Sequence, residues 1–317
     1  MGLKNHGVPG RRRSARVLNI YCERVMNSVD FDRLPGFCRR EDVSSIIRAL
    51  IAPILFLLPF ARDFTNTEFY LYVIVLIALI GRANYLMHWH VHHPFTTAPA
   101  FNLLLDMCLG VATGMTASNW RIQHVYGHHF GADERFRAPV DMRRPYTPRA
   151  AFSFCLRSLW PTFFAPIREA FEKGVRRNEK SPVNYRWAFV EQCLLILLIA
   201  ALLVWRPWLA IFYLLPWYVS VFFISRYVDY LNHYGCDESG ANLPALANNT
   251  SHRWFNFLTG NFGYHTAHHL HPRAHWTQLP ELHREISKDI PQAHLKNFSW
   301  SFLHLPHHFY LARLGRM

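Results

Sequence analysis

Long apolar runs alternate with polar segments along the chain, and four of these runs reach the length of a membrane span. They cover residues 43–61, 68–87, 187–205 and 208–226. A helix needs about 20 mostly apolar residues to cross the hydrocarbon core of a bilayer, and each run is close to that length. Arg48 and Glu191 lie near the ends of their runs. The pattern therefore predicts four transmembrane helices.

A fifth stretch, from Phe101 to Ala117, is less apolar than the other four. It contains Asp106 and two glycines, and it has fewer branched apolar side chains. We expect a partly buried or interfacial helix here instead of a simple span.

Short connections determine the predicted arrangement of the spans. The segment Arg62–Thr67 joins the first two spans, and little more than Arg206 and Pro207 joins the last two. Each pair is therefore expected to form a tight hairpin. Both chain termini and the long middle segment, residues 95–185, would then lie on one side of the membrane.

Basic residues are concentrated on that side. The chain has 34 Lys and Arg against 21 Asp and Glu, which gives a net charge of +13. The positive-inside rule makes this side cytoplasmic. The basic residues of the middle segment include Arg135, Arg137, Arg143, Arg144, Arg149, Arg168, Lys173, Arg176, Arg177 and Lys180.

Residues 1–42 precede the first span and are expected to form a basic tail near anionic lipid. Arg11, Arg12, Arg13 and Arg16 lie in it, and no apolar segment of a secretory signal follows them directly. A net positive charge of this size is also typical of proteins that bind nucleic acid, but no nucleic-acid-binding module is recognisable in the sequence. We therefore expect a membrane and not a nucleic acid as the partner.

The six cysteines exclude several kinds of site. No two of them form a CxxC pair, so a zinc ribbon or an iron–sulfur cluster is not expected. The HExxH, GxSxG, P-loop and GxGxxG motifs are absent too. The candidate chemistry therefore rests on other side chains.

The 20 histidines fall largely into clusters. His88 and His92 follow the second span, and His233 follows the fourth. The two remaining clusters lie in the segments assigned to the cytoplasm, and their members are His124, His128 and His129, then His265, His268 and His269. All four clusters can meet at one place beside the membrane surface.

The spacing of these histidines suits metal binding. Helical residues three or four apart share a face, so His88 with His92, His124 with His128, and His265 with His268 can each serve one metal. Adjacent histidines such as His128 and His129 diverge by about 100°, which suits two neighbouring metals.

Nine imidazoles are more than a single ion can hold, so two ions are the economical interpretation. Imidazole suits iron, zinc, copper and nickel, and the ligand type alone does not name the metal. His90, His93 and His271 are intermediate cases that can orient a ligand through its second ring nitrogen.

At these residues the chain resembles the membrane fatty-acid desaturase and hydroxylase superfamily. His88 and His92 match the first histidine box of that superfamily, HxxxH. The second box is matched by His124, His128 and His129, and the third by His265, His268 and His269. The surroundings of His124 and His233 are similar to motifs of the membrane alkane hydroxylases, from which Gln123, Asp229 and Asn232 depart.

The resemblance implies an oxygen-dependent enzyme with two iron ions and dioxygen as co-substrate. The first interpretation of the chain is a desaturase that acts on a fatty-acyl chain or similar lipid. A hydroxylase, a ketolase or an alkene-forming fatty-acid decarboxylase of the same superfamily is the alternative. A non-catalytic metal- or haem-binding membrane protein is a further alternative.

The chain contains no fused electron donor, since it lacks CxxC pairs and the His-Pro-Gly-Gly of a cytochrome b5 domain. We therefore expect a separate donor of the ferredoxin, rubredoxin or cytochrome b5 type. Asp229 is four residues before His233, on the same helix face, and we expect it to act beside that histidine.

Together these inferences predict an all-α integral membrane protein. Residues 43–317 would form one domain, in which two transmembrane hairpins are capped by a cytoplasmic helical region carrying the histidine boxes.

Overall fold

The computed structural model of the chain describes residues 38–129, 146–174, 184–236 and 245–296. These residues form helices joined by short loops, and no β-strand occurs among them. The α-helices are α1 (Asp42–Ala61), α2 (Asn66–Ile80), α3 (Ala83–His92), α4 (Pro99–Thr113), α5 (Ala117–Trp120), α6 (Pro148–Arg157), α7 (Ala165–Gly174), α8 (Tyr185–Trp205), α9 (Pro207–Leu209), α10 (Leu215–His233), α11 (Arg253–Thr259), α12 (His265–Leu270) and α13 (Leu279–Ile286). Three π-helical segments, Arg121–His129, Trp160–Phe164 and Ala210–Leu214, and two 3₁₀ turns, Trp276–Gln278 and Gln292–His294, complete the order.

Four helical stretches are long and apolar enough to cross a membrane, which confirms the prediction of four spans. They are Asp42–Ala61, Asn66–His92, Tyr185–Trp205 and Pro207–His233. The second is α2 and α3 with a short break between them, and the fourth is α9 and α10 with a π-helical segment between them. Both extend beyond the predicted ends.

The second and fourth spans are longer than a hydrocarbon core is thick. The second and fourth spans each contain 27 residues, which rise about 40 Å along a helix. The hydrocarbon core is about 30 Å thick. His88 and His92 therefore lie near the protruding end of one span, and His233 lies at the protruding end of the other.

The loops of the two hairpins lie together at the opposite end of the molecule. Thr65 caps α2 and shares a reciprocal capping box with Glu68. Asp63 in the first loop forms an ion pair with Arg206 in the second. This contact shows that both loops lie at one end, so the histidine-bearing ends of the long spans share the other end.

The fourth span is held to its neighbours through phenol and indole groups. The Tyr213 hydroxyl donates to the carbonyl oxygen of Phe56 in α1 at 2.8 Å. Trp217 and Tyr218 donate to two carbonyl oxygens in the last turn of α4, at 2.9 and 2.8 Å. Carbonyl groups in the last turn have no partner within their own helix, so these bonds also cap α4.

The fifth apolar stretch forms a bent pair of helices. Helix α4 ends at Gly114, whose φ of 75° lies in the left-handed region that favours glycine. The chain then turns by 89° into α5 and the π-helical segment after it. A Cβ atom at position 114 would lie 2.3 Å from the Tyr218 ring, so the bend needs glycine for space as well as conformation.

Glu191 positions the start of α5. This buried carboxylate on α8 accepts hydrogen bonds from the backbone N–H groups of Ala117 and Ser118, at 3.0 and 3.2 Å. The first N–H groups of a helix have no partner within it and attract negative charge. The charged residue near the end of the third span is thus explained as a helix cap.

Parts of the predicted basic regions lie outside the described residues. This applies to the tail up to residue 37 and to Arg135, Arg137, Arg143, Arg144, Arg176, Arg177 and Lys180. Within α7, Arg168 pairs with Glu172 and Lys173 pairs with Glu169, so their positive charges are balanced locally.

Candidate metal centre

Eight histidines converge at the protruding ends of the long spans, in two groups of four. The members of the first group are His88, His92, His124 and His268, and those of the second are His128, His233, His265 and His269. Within each group one ring nitrogen per histidine lies within 4.8 Å of the others. The two groups draw on α3, the π-helical segment Arg121–His129, α10 and α12.

The separations of the nitrogen atoms match those of ligands around a single ion. The Nε2 atoms of His88 and His268 are 3.1 Å apart, as are those of His233 and His265. Two nitrogens at about 2.1 Å from one ion, set at right angles, would be about 3.0 Å apart. Each group therefore has the size of one metal site.

Burial keeps the imidazoles in the form that binds metals. Loss of solvent, followed by repulsion between neighbouring imidazoles, holds the pKa of His265, His268 and His269 well below its usual value. Neutral imidazole has a free lone pair, which is what a metal ion requires.

Contacts on the far side of two rings aim their Nε2 atoms at the groups. The Nδ1 atom of His233 donates to the carbonyl oxygen of Leu246 at 3.2 Å. The backbone of Pro272 bonds to His92, and because proline has no N–H, its carbonyl is the acceptor. The Nε2 atom of His92 has no hydrogen-bond partner among the described residues. Such bonds fix the tautomer and orientation of a ligand.

The pairing of the second-box histidines differs from the prediction. His124 and His128 were expected to share one metal, whereas the structure puts them in different groups. The prediction assumed an α-helix, but Arg121–His129 is π-helical. This wider helix bonds residues five apart, and the Nε2 atoms of His124 and His129 are accordingly 3.1 Å apart.

The pairing in the third box differs as well. His265 joins His269 in the second group, and His268 belongs to the first. In an α-helix a residue three positions on is turned about 60° to one side, and a residue four positions on is turned about 40° to the other. His268 and His269 therefore point to different groups, as adjacent histidines were expected to do.

His129 lies between the two groups. Its ring centroid is 4.6 Å from those of His92 and His268 in the first group, and 4.5 Å from that of His269 in the second. All nine predicted ligands are therefore brought to one place, and His129 is positioned to complete either group.

A short asparagine-containing segment holds the third box against the end of the fourth span. The side chain of Asn249 accepts from the backbone N–H of Thr266 at 2.9 Å. The amide of Asn248 donates to the carbonyl oxygens of Leu231, in the last turn of α10, and Tyr234, the first residue after that helix. This segment therefore links His265 and its neighbours to His233.

Asp229 lies beside the second group. It is close enough to His128 and His233 to interact with them electrostatically. Its carboxylate is 3.4 Å from the guanidinium of Arg226, which is 2% exposed. The two charges therefore offset each other near the end of a span.

Arg226 and Trp120 are part of the site but were not predicted. The guanidinium of Arg226 lies 5.0 Å from the centre of the Trp120 ring, and Trp120 stacks on His124 with centroids 5.1 Å apart. Helical spacing could have revealed both residues. Trp120 precedes His124 by four positions, and Arg226 precedes His233 by seven, which is about two turns.

The three histidines that were considered as orienting groups, His90, His93 and His271, belong to neither group of four. His90 is 3.3 Å from Asp106 and from the carbonyl oxygen of Asn102. His93 contacts the ring of His275, with centroids 5.5 Å apart. His271 is largely buried at the end of α12.

A narrow cavity adjoins the first group on the membrane side. Its polar lining includes His88, His124, Arg226 and Asp229, and its apolar and aromatic lining is Tyr85, Trp120, Val228 and Phe262. Since Arg226 precedes the protruding end of its span by about two turns, the cavity lies between the histidines and the hydrocarbon core.

Two comparisons with known proteins agree with the histidine pattern. The family model described as fatty acid desaturase matches residues 67–302, which include all nine histidines. A curated protein of Bacillus subtilis (strain 168) named fatty acid desaturase is 24% identical over 251 residues. The alignment covers 70% of this chain and 70% of that protein.

Proposed function

The chain belongs to the fatty acid desaturase family, and on that premise we propose that it is an oxygen-dependent di-iron desaturase of a fatty-acyl chain or a similar lipid. The observation that supports this proposal most is the division of eight histidines into two adjacent groups, each with the dimensions of one metal site. A family of oxidoreductases and an all-imidazole donor set together favour iron over the other metals that imidazole binds.

In the proposed assignment, His88, His92, His124 and His268 hold one ion. His128, His233, His265 and His269 hold the other, and His129 completes one of the two sets. With dioxygen and two electrons from a donor, the iron pair would supply the oxidising power to remove two hydrogen atoms from adjacent methylenes. The reaction would consume one dioxygen, the two hydrogen atoms, two electrons and two protons. It would produce two water molecules and leave one carbon–carbon double bond in the substrate.

The cavity beside His88 and His124, with a volume of about 20 Å³ or room for about one water, is proposed to mark where the reacting methylenes approach the first group. Its aromatic and aliphatic lining suits an acyl chain, which offers no hydrogen bonds. Tyr85 and Phe262 contact each other at 5.6 Å between centroids, and Phe262 also packs on His88 at 4.7 Å. These rings would exclude water and fix the chain, because placement within about 1 Å governs the rate.

Asp229 is proposed to act through the second group and not as a ligand. Its negative charge would stabilise the positive charge that a metal imposes on His128 and His233. Arg226 holds the carboxylate in place and offsets its charge.

Electrons are proposed to come from a separate donor of the ferredoxin, rubredoxin or cytochrome b5 type. The 317 residues contain neither a CxxC pair nor a His-Pro-Gly-Gly motif, so they do not themselves supply such a donor. A donor would dock on the face where the histidine-bearing ends protrude from the membrane.

That face, with both termini, is proposed to be cytoplasmic because basic residues are concentrated in the segments on that side. A tag inserted after Phe64, in the first hairpin loop, should therefore react with a membrane-impermeant reagent added to intact cells. A tag at the C-terminus should react only after the membrane is opened. Labelling of the C-terminal tag in intact cells would contradict this orientation.

The proposed activity can be tested by analysing the lipids of a host that expresses the chain. Expression of the unchanged protein with a matching electron donor should produce acyl chains with one additional double bond, detected by mass spectrometry of total lipids. The His128→Ala variant, present in equal amount, should produce none because the second group loses a ligand. New hydroxy acids, ketones or terminal alkenes in place of unsaturated chains would assign the enzyme to another branch of the superfamily.

A further inference from the structure

Three arginines line a groove that is separate from the cavity at the histidines. Arg48 comes from α1, Arg82 from the break between α2 and α3, and Arg253 from the start of α11. The groove has a volume of about 470 Å³ and is partly open to the surroundings. Its lining also includes hydroxyl and amide groups from Ser45 and Asn256, together with the ring of Trp89.

None of these arginines forms an ion pair with a carboxylate among the described residues. Arg48 repels Arg82 electrostatically, and the Nε atom of Arg82 is buried without a hydrogen-bond partner. Other charged arginines at the membrane boundaries are paired, such as Arg62 with Glu68 and Arg206 with Asp63. An uncompensated cluster of guanidinium groups suits an anionic ligand.

The depth of the groove indicates the kind of anion. Arg48 lies about 20 Å along α1 from the hairpin-loop end, and Arg82 lies about 24 Å along the second span from its start. A hydrocarbon core of about 30 Å therefore ends about 6 Å beyond Arg82 and about 10 Å beyond Arg48, so both side chains can extend towards that boundary. Phospholipid phosphates lie at this boundary.

Helix α11 supports the same location. Its aromatic side chains Trp254 and Phe257 are 49% and 64% exposed, and Arg253 contacts the ring of Trp254. Exposed aromatic residues beside arginines are typical of the membrane–water boundary. Basic pockets between transmembrane helices are known sites for anionic lipid head groups.

We propose that the groove formed by Arg48, Arg82 and Arg253 binds the phosphate group of an anionic phospholipid from the leaflet on the histidine side. Guanidinium groups form charge-assisted, bidentate bonds to phosphate oxygens. The bound lipid would join α1, α3 and α11. Because α3 carries His88 and His92, this ligand would brace one wall of the metal centre without taking part in its chemistry.

The test uses the full chain, purified in neutral detergent and offered equal amounts of phosphatidylglycerol and phosphatidylcholine with identical acyl chains. Native mass spectrometry then counts the lipids that stay bound. We expect one phosphatidylglycerol to be retained in preference to phosphatidylcholine. Each arginine should contribute about a factor of five to that preference. In the Arg48→Gln/Arg82→Gln variant the preference for phosphatidylglycerol over phosphatidylcholine should therefore fall about 25-fold.

The Arg62→Gln/Arg206→Gln variant is the matched control, since it removes two boundary arginines that are already paired with carboxylates. It should keep the preference, and Arg82→Lys should keep most of it. If the double variant in the groove does not fold, Arg253→Gln at the exposed start of α11 should still lower the preference about fivefold. Iron content and thermal unfolding of each variant show whether the fold is intact.

Three results would overturn the proposal. The first is equal retention of the two lipids by the unchanged protein, and the second is an equal loss in the control variant. The third is displacement of phosphatidylglycerol by millimolar inorganic pyrophosphate, which would assign the groove to a soluble phosphate ester.

Discussion

His268→Ala and His265→Ala are each expected to lower the iron content of the purified protein from about two ions per chain to about one, and to abolish turnover. The two histidines lie in different groups, so each variant removes one ligand from one site. Both side chains are fully buried, and alanine leaves neither a donor atom nor space for several waters to replace it. Elemental analysis by mass spectrometry measures the iron.

Two further variants separate ligand loss from general damage. His93→Ala changes the neighbour of His92, but its ring contacts His275 and not the metal groups, so iron should stay at about two per chain. Asp229→Asn should keep most of the iron and slow turnover about ten- to a hundredfold, as expected for a residue that acts through a ligand. Full iron in both His268→Ala and His265→Ala, or a protein that contains only zinc when made with excess iron, would refute the di-iron assignment.

The four spans were predictable because hydropathy reports the length of an apolar helix directly. The ends of the second and fourth spans were not, since each helix continues after its apolar run stops. The added turns contain His88, His92 and His233, and their polar sequence has the hydropathy expected of a loop. Hydropathy therefore recognises the part of a helix that is in lipid and misses the part that protrudes to carry ligands.

That the nine histidines come together was also predictable from sequence, whereas their division into two groups was not. Nine histidines were selected by spacing and by resemblance, and the structure gathers all nine. The division into groups depends on the π-helical segment Arg121–His129, which no residue pattern in the sequence predicts. It also depends on contacts with the backbone carbonyls of Leu246 and Pro272, and any residue type supplies a carbonyl.

Asp106 links the helices that carry the first and second boxes. Its carboxylate is 1% exposed and accepts two hydrogen bonds from the Arg121 guanidinium, both at 2.8 Å. The Nε2 atom of His90 lies 3.3 Å from the same carboxylate. His90 is two residues before His92, and Arg121 is three before His124, so this buried network sets the distance between two ligand-bearing segments.

Asp106→Ala is therefore expected to destabilise the protein by about 3 kcal/mol, at the lower end of the effect of breaking a buried ion pair because Arg121 keeps some solvent contact. The cost arises because the remaining guanidinium loses its partner inside the protein. Equilibrium unfolding in mixed detergent micelles measures this change. We also expect the iron content to fall, since α3 and the π-helical segment lose their common anchor.

The Asp106→Leu/Arg121→Met variant distinguishes an unpaired charge from lost packing. Apolar side chains of similar volume often replace a buried ion pair at little cost, so this double variant should recover more than half of the stability lost in Asp106→Ala. Arg284→Ala is the reference for an exposed pair, because Arg284 bonds to Glu281 at the surface, and it should cost less than about 1 kcal/mol. Equal destabilisation by Asp106→Ala and Arg284→Ala would show that the network contributes no more than a surface contact.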